Sequence, residues 1–241
     1  MPLATMLCYA AEDEMPVIVM MNPKGGTGKT TSALLLAQAL SKHSQVAIVD
    51  CDRNENILRW QENRKSLDRP MPFAVLSAPA DDAEKVMDII IEAEDGHDYV
   101  IVDLEGVKTQ TATFALGRAH FVLVPIKPSS MEISLAGVAV QHIKGTSKVF
   151  QREIPFAILL NRTNAAFATH RERELRSQLD EAGVPMVPVT IMQREAYANM
   201  FEDGEVIEDM DLNDAARTKA LDNRDAYADA VIAMIQQIEG K

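Results

Sequence analysis

Cysteine is scarce in this chain. Cys8 and Cys51 form no C-x-x-C pair, and two thiols in 241 residues exclude a disulfide framework and fit a reducing compartment. Aromatic residues make up only 5% of the chain, with Trp60 the one tryptophan, so aliphatic side chains and methionine must fill the core. No apolar run approaches the ~18–20 residues needed to cross a bilayer, and the N-terminus lacks a basic-then-apolar leader pattern. A soluble, cytoplasmic protein is expected. Tracts rich in Ser, Gly or Pro are absent, as are repeats at solenoid spacing. Positive charge is short as well: a formal net charge of -12 argues against a protein that coats nucleic acid through overall basicity.

The charge is unevenly spread. Glu202 to Asp214 holds seven acidic residues and no basic one, and Glu12-Asp13-Glu14 adds three more. From His142 to Arg176, seven basic residues stand against Glu153, Glu172 and Glu174, a net of +4.

Residues 1–14 show no clear period and read as a loose extension; 15–241 read as one domain. Val17-Ile18-Val19-Met20-Met21 is a buried strand, and Gln45 to Val49, Phe73 to Leu76, Asp98 to Asp103, Phe121 to Ile126, Ile154 to Asn161 and Val184 to Val189 read as further strands. Helical stretches alternate with them at Ser32–Leu40, Glu55–Leu67, Asp81–Ala93, from Glu132 after an N-cap at Ser129 or Ser130, at 168–182 and from Asp214 to Ile238. Near-continuous apolar strands alternating with helices imply a parallel sheet covered on both faces, a doubly wound α/β fold.

Between the first strand and the first helix lies Asn22-Pro23-Lys24-Gly25-Gly26-Thr27-Gly28-Lys29-Thr30-Thr31. Successive glycines let backbone N–H groups converge on phosphate oxygens, and the helix N-terminus behind them adds about half a positive charge. Lys29 is placed to reach the β- and γ-phosphates, and the Thr30 hydroxyl to ligate magnesium. The pattern G-x-x-x-x-G-K-[ST] fails at its opening residue, where Pro23 stands, and a second lysine, Lys24, precedes the glycine pair.

At these residues the chain resembles the ParA/MinD family of ATPases, whose deviant phosphate loop K-G-G-x-G-K-T carries a signature lysine at the position of Lys24. The likeness covers residues 15 to 235. It implies a P-loop ATPase fold, ATP and Mg²⁺ as cofactors, slow hydrolysis to ADP, and a homodimer in which Lys24 contacts the nucleotide of the partner subunit. Two strand ends extend it. In open α/β sheets ligands sit beyond the carboxyl ends of the strands. There, Asp50-Cys51-Asp52 looks like the D-x-D after the second strand of ParA proteins, and Val102-Asp103 like their Walker B. Asp52 would then orient the attacking water, Asp50 support the metal shell and Asp103 hold Mg²⁺ through water. Arg53-Asn54 stands where many relatives have Pro-Gln, and Leu104-Glu105-Gly106 replaces their Thr/Ala-Pro-Pro. Asn161-Arg162-Thr163, ending a strand, and Pro188 to Arg194, following another, resemble adenine-side loops of the family, with Asn161 placed to hydrogen-bond the adenine edge, though a strand-end Asn also caps turns.

The family implies nonspecific DNA binding by an ATP dimer and a stimulating or cargo-adaptor partner. Shorter members include plasmid partition proteins and VirC-type accessory ATPases of conjugation. Only about 14 residues precede the first strand, too few for a helix-turn-helix. On a helical wheel of 170–182, Leu175, Leu179 and Ala182 share one side while Arg173 and Arg176 point roughly opposite, a candidate phosphate-contacting face. Arg217, Lys219 and Arg224 are further candidates. The C-terminal run Tyr227 to Lys241 has one lysine and two acids, unlike the basic amphipathic anchor of a MinD-like membrane cycler, so no membrane partner is expected.

Overall fold

The computed structural model describes residues 16–107 and 109–240. The expected N-terminal extension, with Cys8 and the Glu12 to Glu14 acids, lies outside them. Seven strands are present: β1 (Val17–Met20), β2 (Val46–Cys51), β3 (Ala74–Ser77), β4 (Tyr99–Leu104), β5 (Phe121–Ile126), β6 (Phe156–Thr163) and β7 (Ile191–Met192). The helices are α1 (Lys29–Leu40), α2 (Asn56–Ser66), α3 (Ala83–Gly96), α4 (Gln110–Arg118), α5 (Ser130–Phe150), α6 (His170–Glu181), α7 (Glu195–Asn199) and α8 (Asp214–Glu239).

Every strand pair is parallel, in the order β3-β2-β4-β1-β5-β6-β7. Alternating side chains feed two cores. Ile18 and Met20 of β1 face a cluster with Leu34, Leu35, Trp60, Tyr197, Tyr227 and Val231, so α1, α2, α7 and α8 cover that face. Val17 and Val19 face Val86, Leu116, Ile143, Leu175 and Leu179, from α3, α4, α5 and α6. The strands read as continuous apolar runs because both faces are covered.

Three local readings change. Residues 184–189 form no strand; Met186 makes an isolated bridge to Ile158, and the pairing strand is β7. Pro185 and Pro188 cannot donate to a ladder, which breaks the run. Helix α4, absent from the sequence reading, is capped by Thr109, whose hydroxyl accepts from Ala112 N–H. Ser129 takes the cap position of α5, but its hydroxyl makes no capping bond.

The acidic stretch from Glu202 is tied down. Gly204, at φ +59, lies so close to α2 that a Cβ there would meet Arg64 N at 2.3 Å. Arg64 pairs with Asp209 at 2.9 Å, Arg69 with Glu205 at 2.9 Å, and Trp60 Nε1 donates to Glu205 O at 3.1 Å.

Candidate nucleotide site

The loop from Asn22 to Gly28 leaves β1 at the centre of the sheet and is held from beneath. Asn22 Nδ2 donates to Pro125 O at 2.7 Å, and Asn22 Oδ1 accepts from Lys24 N–H at 2.8 Å. Gly26 and Gly28 take φ values of 74 and 100, a region that costs a side chain dearly. Open space stands where side chains of Gly25 and Gly26 would be, so their backbone is accessible to a ligand. Helix α1 starts at Lys29 with no side chain capping its first turn and no acid in it. Its leading N–H groups are therefore available to an anion. Thr30 and Thr31, in that first turn, are half-buried.

The two lysines of the loop are divided. Lys29 is buried, 5% exposed, and its charge acts on Asp103. Lys24, 42% exposed, forms an ion pair with Glu132 at the start of α5, Nζ to Oε1 2.8 Å. Glu132 is buried, and its other oxygen has no hydrogen bond. Sequence reading placed a helix start near Glu132 without giving it a role. The contact joins positions 108 apart and leaves no local signal.

Asp50 and Asp103 are register partners on adjacent strands, yet they are used differently. Asp50 accepts from the N–H groups of Asp52 (3.1 Å), Ile57 (3.2 Å) and Leu58 (3.2 Å), which fixes the turn after β2 and the start of α2. Burial raises its pKa, and those three donors pull it back. Asp103 is fully buried with neither oxygen hydrogen-bonded. Burial pushes its carboxyl up to about 7, against the pull of the Thr30 hydroxyl and the Lys29 ammonium. A buried carboxylate with two orphaned oxygens beside a threonine hydroxyl fits Mg²⁺, which takes one or two protein oxygens and completes its shell with water and phosphate. Among the described residues no group of three or more His, Cys, Asp or Glu is placed to hold a metal unaided.

Asp52 stands in the turn after β2, where Oδ1 accepts from Asn54 N–H at 2.9 Å and from its side-chain amide at 2.8 Å. Arg53 reaches Glu105 in the turn after β4, Nε to Oε2 3.3 Å. The two departures from the family pattern thus meet across a cavity of ≈ 540 Å³ that Pro23 and Gly106 also line.

Asn161 lies on the phosphate-loop side of β6. Its Nδ2 donates to Gly28 O (3.2 Å) and Ser32 Oγ (3.1 Å), and a Cβ on Gly28 would come within 2.0 Å of Nδ2. In this structure Asn161 braces the phosphate loop. β6 continues past it with a register shift, and Arg162 takes φ 55, so the strand bulges where its side chains turn toward the site.

The basic candidates do not form one surface. Arg173 is exposed and donates to Ala168 O, while Arg176 pairs with buried Glu172 at 3.2 Å. Arg217 donates to Met210 O at 2.8 Å, and Lys219 is exposed. Those two sit on α8, across the sheet from α6. Arg224 is removed from the candidates: fully buried, it holds Glu208 at 2.8 Å and Asp225 at 2.8 Å. Leu175 and Leu179 are buried as expected, but Ala182 is exposed, because α6 ends at Glu181.

Comparison with known proteins agrees with this geometry. A family model described as VirC1 protein matches residues 15–239. Protein ParA of Rhizobium radiobacter is 27% identical over 228 residues, covering 92% of this chain and 99% of that one. Maintenance of carboxysome distribution protein A of Halothiobacillus neapolitanus is 24% identical over 196 residues, covering 80% and 87%. A putative plasmid partition protein of Borrelia burgdorferi, solved bound to AMPPNP, superposes with a TM-score of 0.68 at 16% identity over 91% of this chain and 99% of that one. With a family model matching residues 15–239, the chain belongs to the VirC1 family, and its seven-stranded parallel sheet is the fold of the ParA/MinD P-loop proteins.

Proposed function

We propose that the chain is an ATPase that dimerises with ATP, binds DNA without sequence preference, and releases it after hydrolysis, so as to segregate or position a DNA molecule or other cargo. The division of the two loop lysines carries the reading. Lys29 is buried beside Asp103 and serves the nucleotide of its own chain; Lys24 is outside and serves the nucleotide across a dimer.

Phosphoryl transfer to water needs positioning and charge neutralisation more than covalent work. Gly25 to Gly28 and the first turn of α1 hold the phosphates, with Lys29 at the β- and γ-phosphates. Thr30 and Asp103 would hold Mg²⁺, which when bound neutralises charge on the phosphate oxygens. Asp50 sets the turn that carries Asp52, and Asp52 orients the water. Lys24 from the partner then acts as an arginine finger does, so turnover is slow without dimerisation and a stimulating partner.

Kinship to ParA and to the carboxysome-distribution protein supports a partition or positioning role. The VirC1 family match favours a second reading, an accessory ATPase of conjugative DNA transfer. A MinD-like membrane cycle has less support. α8 buries Ala228, Val231, Ile232 and Ile235 in the core, which occupies its apolar face, and no helix among the described residues is long and apolar enough to cross a membrane.

DNA binding with ATP, with ADP and without nucleotide, across a salt series, tests the proposal. Tight binding in ATP alone, weakening steeply with salt and lost in Lys24→Ala, is expected. Equal binding in all nucleotide states, or none at low salt, sinks it. Liposome pelleting that depends on ATP would favour the membrane alternative.

A further inference from the structure

β2 and β4 lie side by side, with Asp50 opposite Asp103 and Cys51 opposite Leu104. One residue further on, the chain leaves both strands, at Asp52 and at Glu105, so two turns start next to each other and bring two more carboxylates to the same end of the sheet. The charges there already act on one another: Asp50 and Asp52 both oppose ionisation of Asp103. Phosphates arriving at the loop add further negative charge. Repulsion of this kind drives neighbouring turns apart unless a cation stands between them. Lys29 acts on Asp103; at the outer pair of positions the cation is Arg53, whose Nε lies 3.3 Å from Glu105 Oε2.

The two turns differ in what holds them. The one after β2 is bonded within itself: Asp52 N–H donates to Asp50 Oδ1 at 3.1 Å, Asp52 Oδ1 accepts from Asn54 N–H at 2.9 Å, and Asp52 O accepts from Glu55 N–H at 2.8 Å. It moves as a unit, with the Asp52 side chain built into it. The turn after β4 runs through Gly106, and open space stands where a side chain on Gly106 would be. Between the turns lies the ≈ 540 Å³ cavity, with Pro23 of the phosphate loop, Val107 and Thr109 on its wall. The Arg53–Glu105 ion pair crosses that space from one turn to the other. With Arg53 66% and Glu105 41% exposed, water screens the pair, so it adds little to stability. What it does is set the distance between the turns, and hence where Asp52 stands.

We propose that Arg53 and Glu105 are positioning residues: their ion pair clamps the turn after β2 to the turn after β4 and holds Asp52 at the place from which it orients the attacking water. The inference rests on the role proposed above for Asp52 and adds what keeps that side chain in place.

Two measurements test it, one without nucleotide and one with. In hydrogen exchange of the ligand-free protein, the amides of 52–58 should open roughly fivefold or more faster in Arg53→Gln and in Glu105→Gln, with α1, α8 and the urea midpoint unchanged. With saturating Mg·ATP, each variant should lower kcat roughly fivefold or more, leave KM within about twofold and keep the affinity for fluorescent ADP. The double variant should lose no more than either single one, because all three remove the same contact. The swap Arg53→Glu with Glu105→Arg should restore most of kcat and of the slow exchange, which a simple loss of positive charge at position 53 does not predict. Unchanged exchange, unchanged kcat, or a swap that restores neither overturns the clamp. So does a loss confined to Arg53→Gln with weakened ADP binding, which would make Arg53 a phosphate ligand. Wild-type protein that releases no phosphate from ATP contradicts the proposed function, and the exchange measurement then still decides the clamp.

Discussion

Lys24 Nζ sits 2.8 Å from Glu132 Oε1, so the lysine proposed to act on a partner's nucleotide is held by its own chain. With Lys24 42% exposed, solvent screens the pair, and about 1 kcal/mol is a fair value for it. Delivering Lys24 across a dimer means giving up that contact. Glu132→Gln keeps the shape and removes the charge, so the ATP concentration for half dimerisation should fall roughly fivefold, as read by sedimentation velocity. An unchanged or raised requirement would mean that Glu132 does not restrain Lys24.

Gly28 is constrained by both its φ of 100 and the approach of Asn161. Gly28→Ala should lower affinity for fluorescent ADP by tenfold or more. Adding Asn161→Ala removes the clash and leaves the backbone strain, so the double variant should recover only part of the loss, about 1 kcal/mol. Full recovery would show that the clash alone matters.

Asp103 gives the nucleotide site a pH dependence. Its folded-state pKa, about 7, lies above the usual carboxylate value of 3.8, so between these the folded protein holds the extra proton. Ligand-free stability from this group therefore falls as pH rises through that window, while Mg²⁺ binding, which needs the carboxylate, strengthens. The rise in Tm produced by Mg·ADP should be larger at about pH 8 than at about pH 6. In Asp103→Asn, the ligand-free Tm above neutrality should rise by about 2–4 °C and the Mg²⁺-dependent part of the rise should vanish.

Arg224 and Lys219 separate stability from DNA contact. Arg224→Met leaves Glu208 and Asp225 without their buried partner and should cost about 2–4 kcal/mol in urea unfolding, with no change in DNA affinity per folded molecule. Lys219, exposed on α8, should show the opposite: Lys219→Ala within about 0.5 kcal/mol of wild type in stability, and a shallower salt dependence of DNA binding.

Much of this site was written in short stretches of sequence. The strand, glycine loop and helix around Lys29, and the aspartates closing β2 and β4, are local patterns set by backbone geometry and strand ends. What escaped were contacts between distant positions. Asn161 reaches Gly28 across 133 residues, so its strand-end position carries no local signal of the brace it makes for the loop. Arg224 read as one more surface cation because the acids that bury it come from a separate acidic run and from its own neighbour. Helix α4, with Thr109, Thr111 and Thr113 at its start, has weak intrinsic propensity and is held by Ala112, Ala115 and Leu116 against the sheet. The 184–189 run looked like a strand by apolar content, and its two prolines decided otherwise.

In the proposed cycle, ATP drives a dimer through Lys24. Sedimentation velocity on Asp52→Ala, which should hold ATP without hydrolysing it, tests this most directly. A monomer with ADP, a dimer with ATP, and a monomer in both when Lys24→Ala is added are expected. A dimer that forms equally with either nucleotide, or that survives Lys24→Ala in ATP, would contradict it.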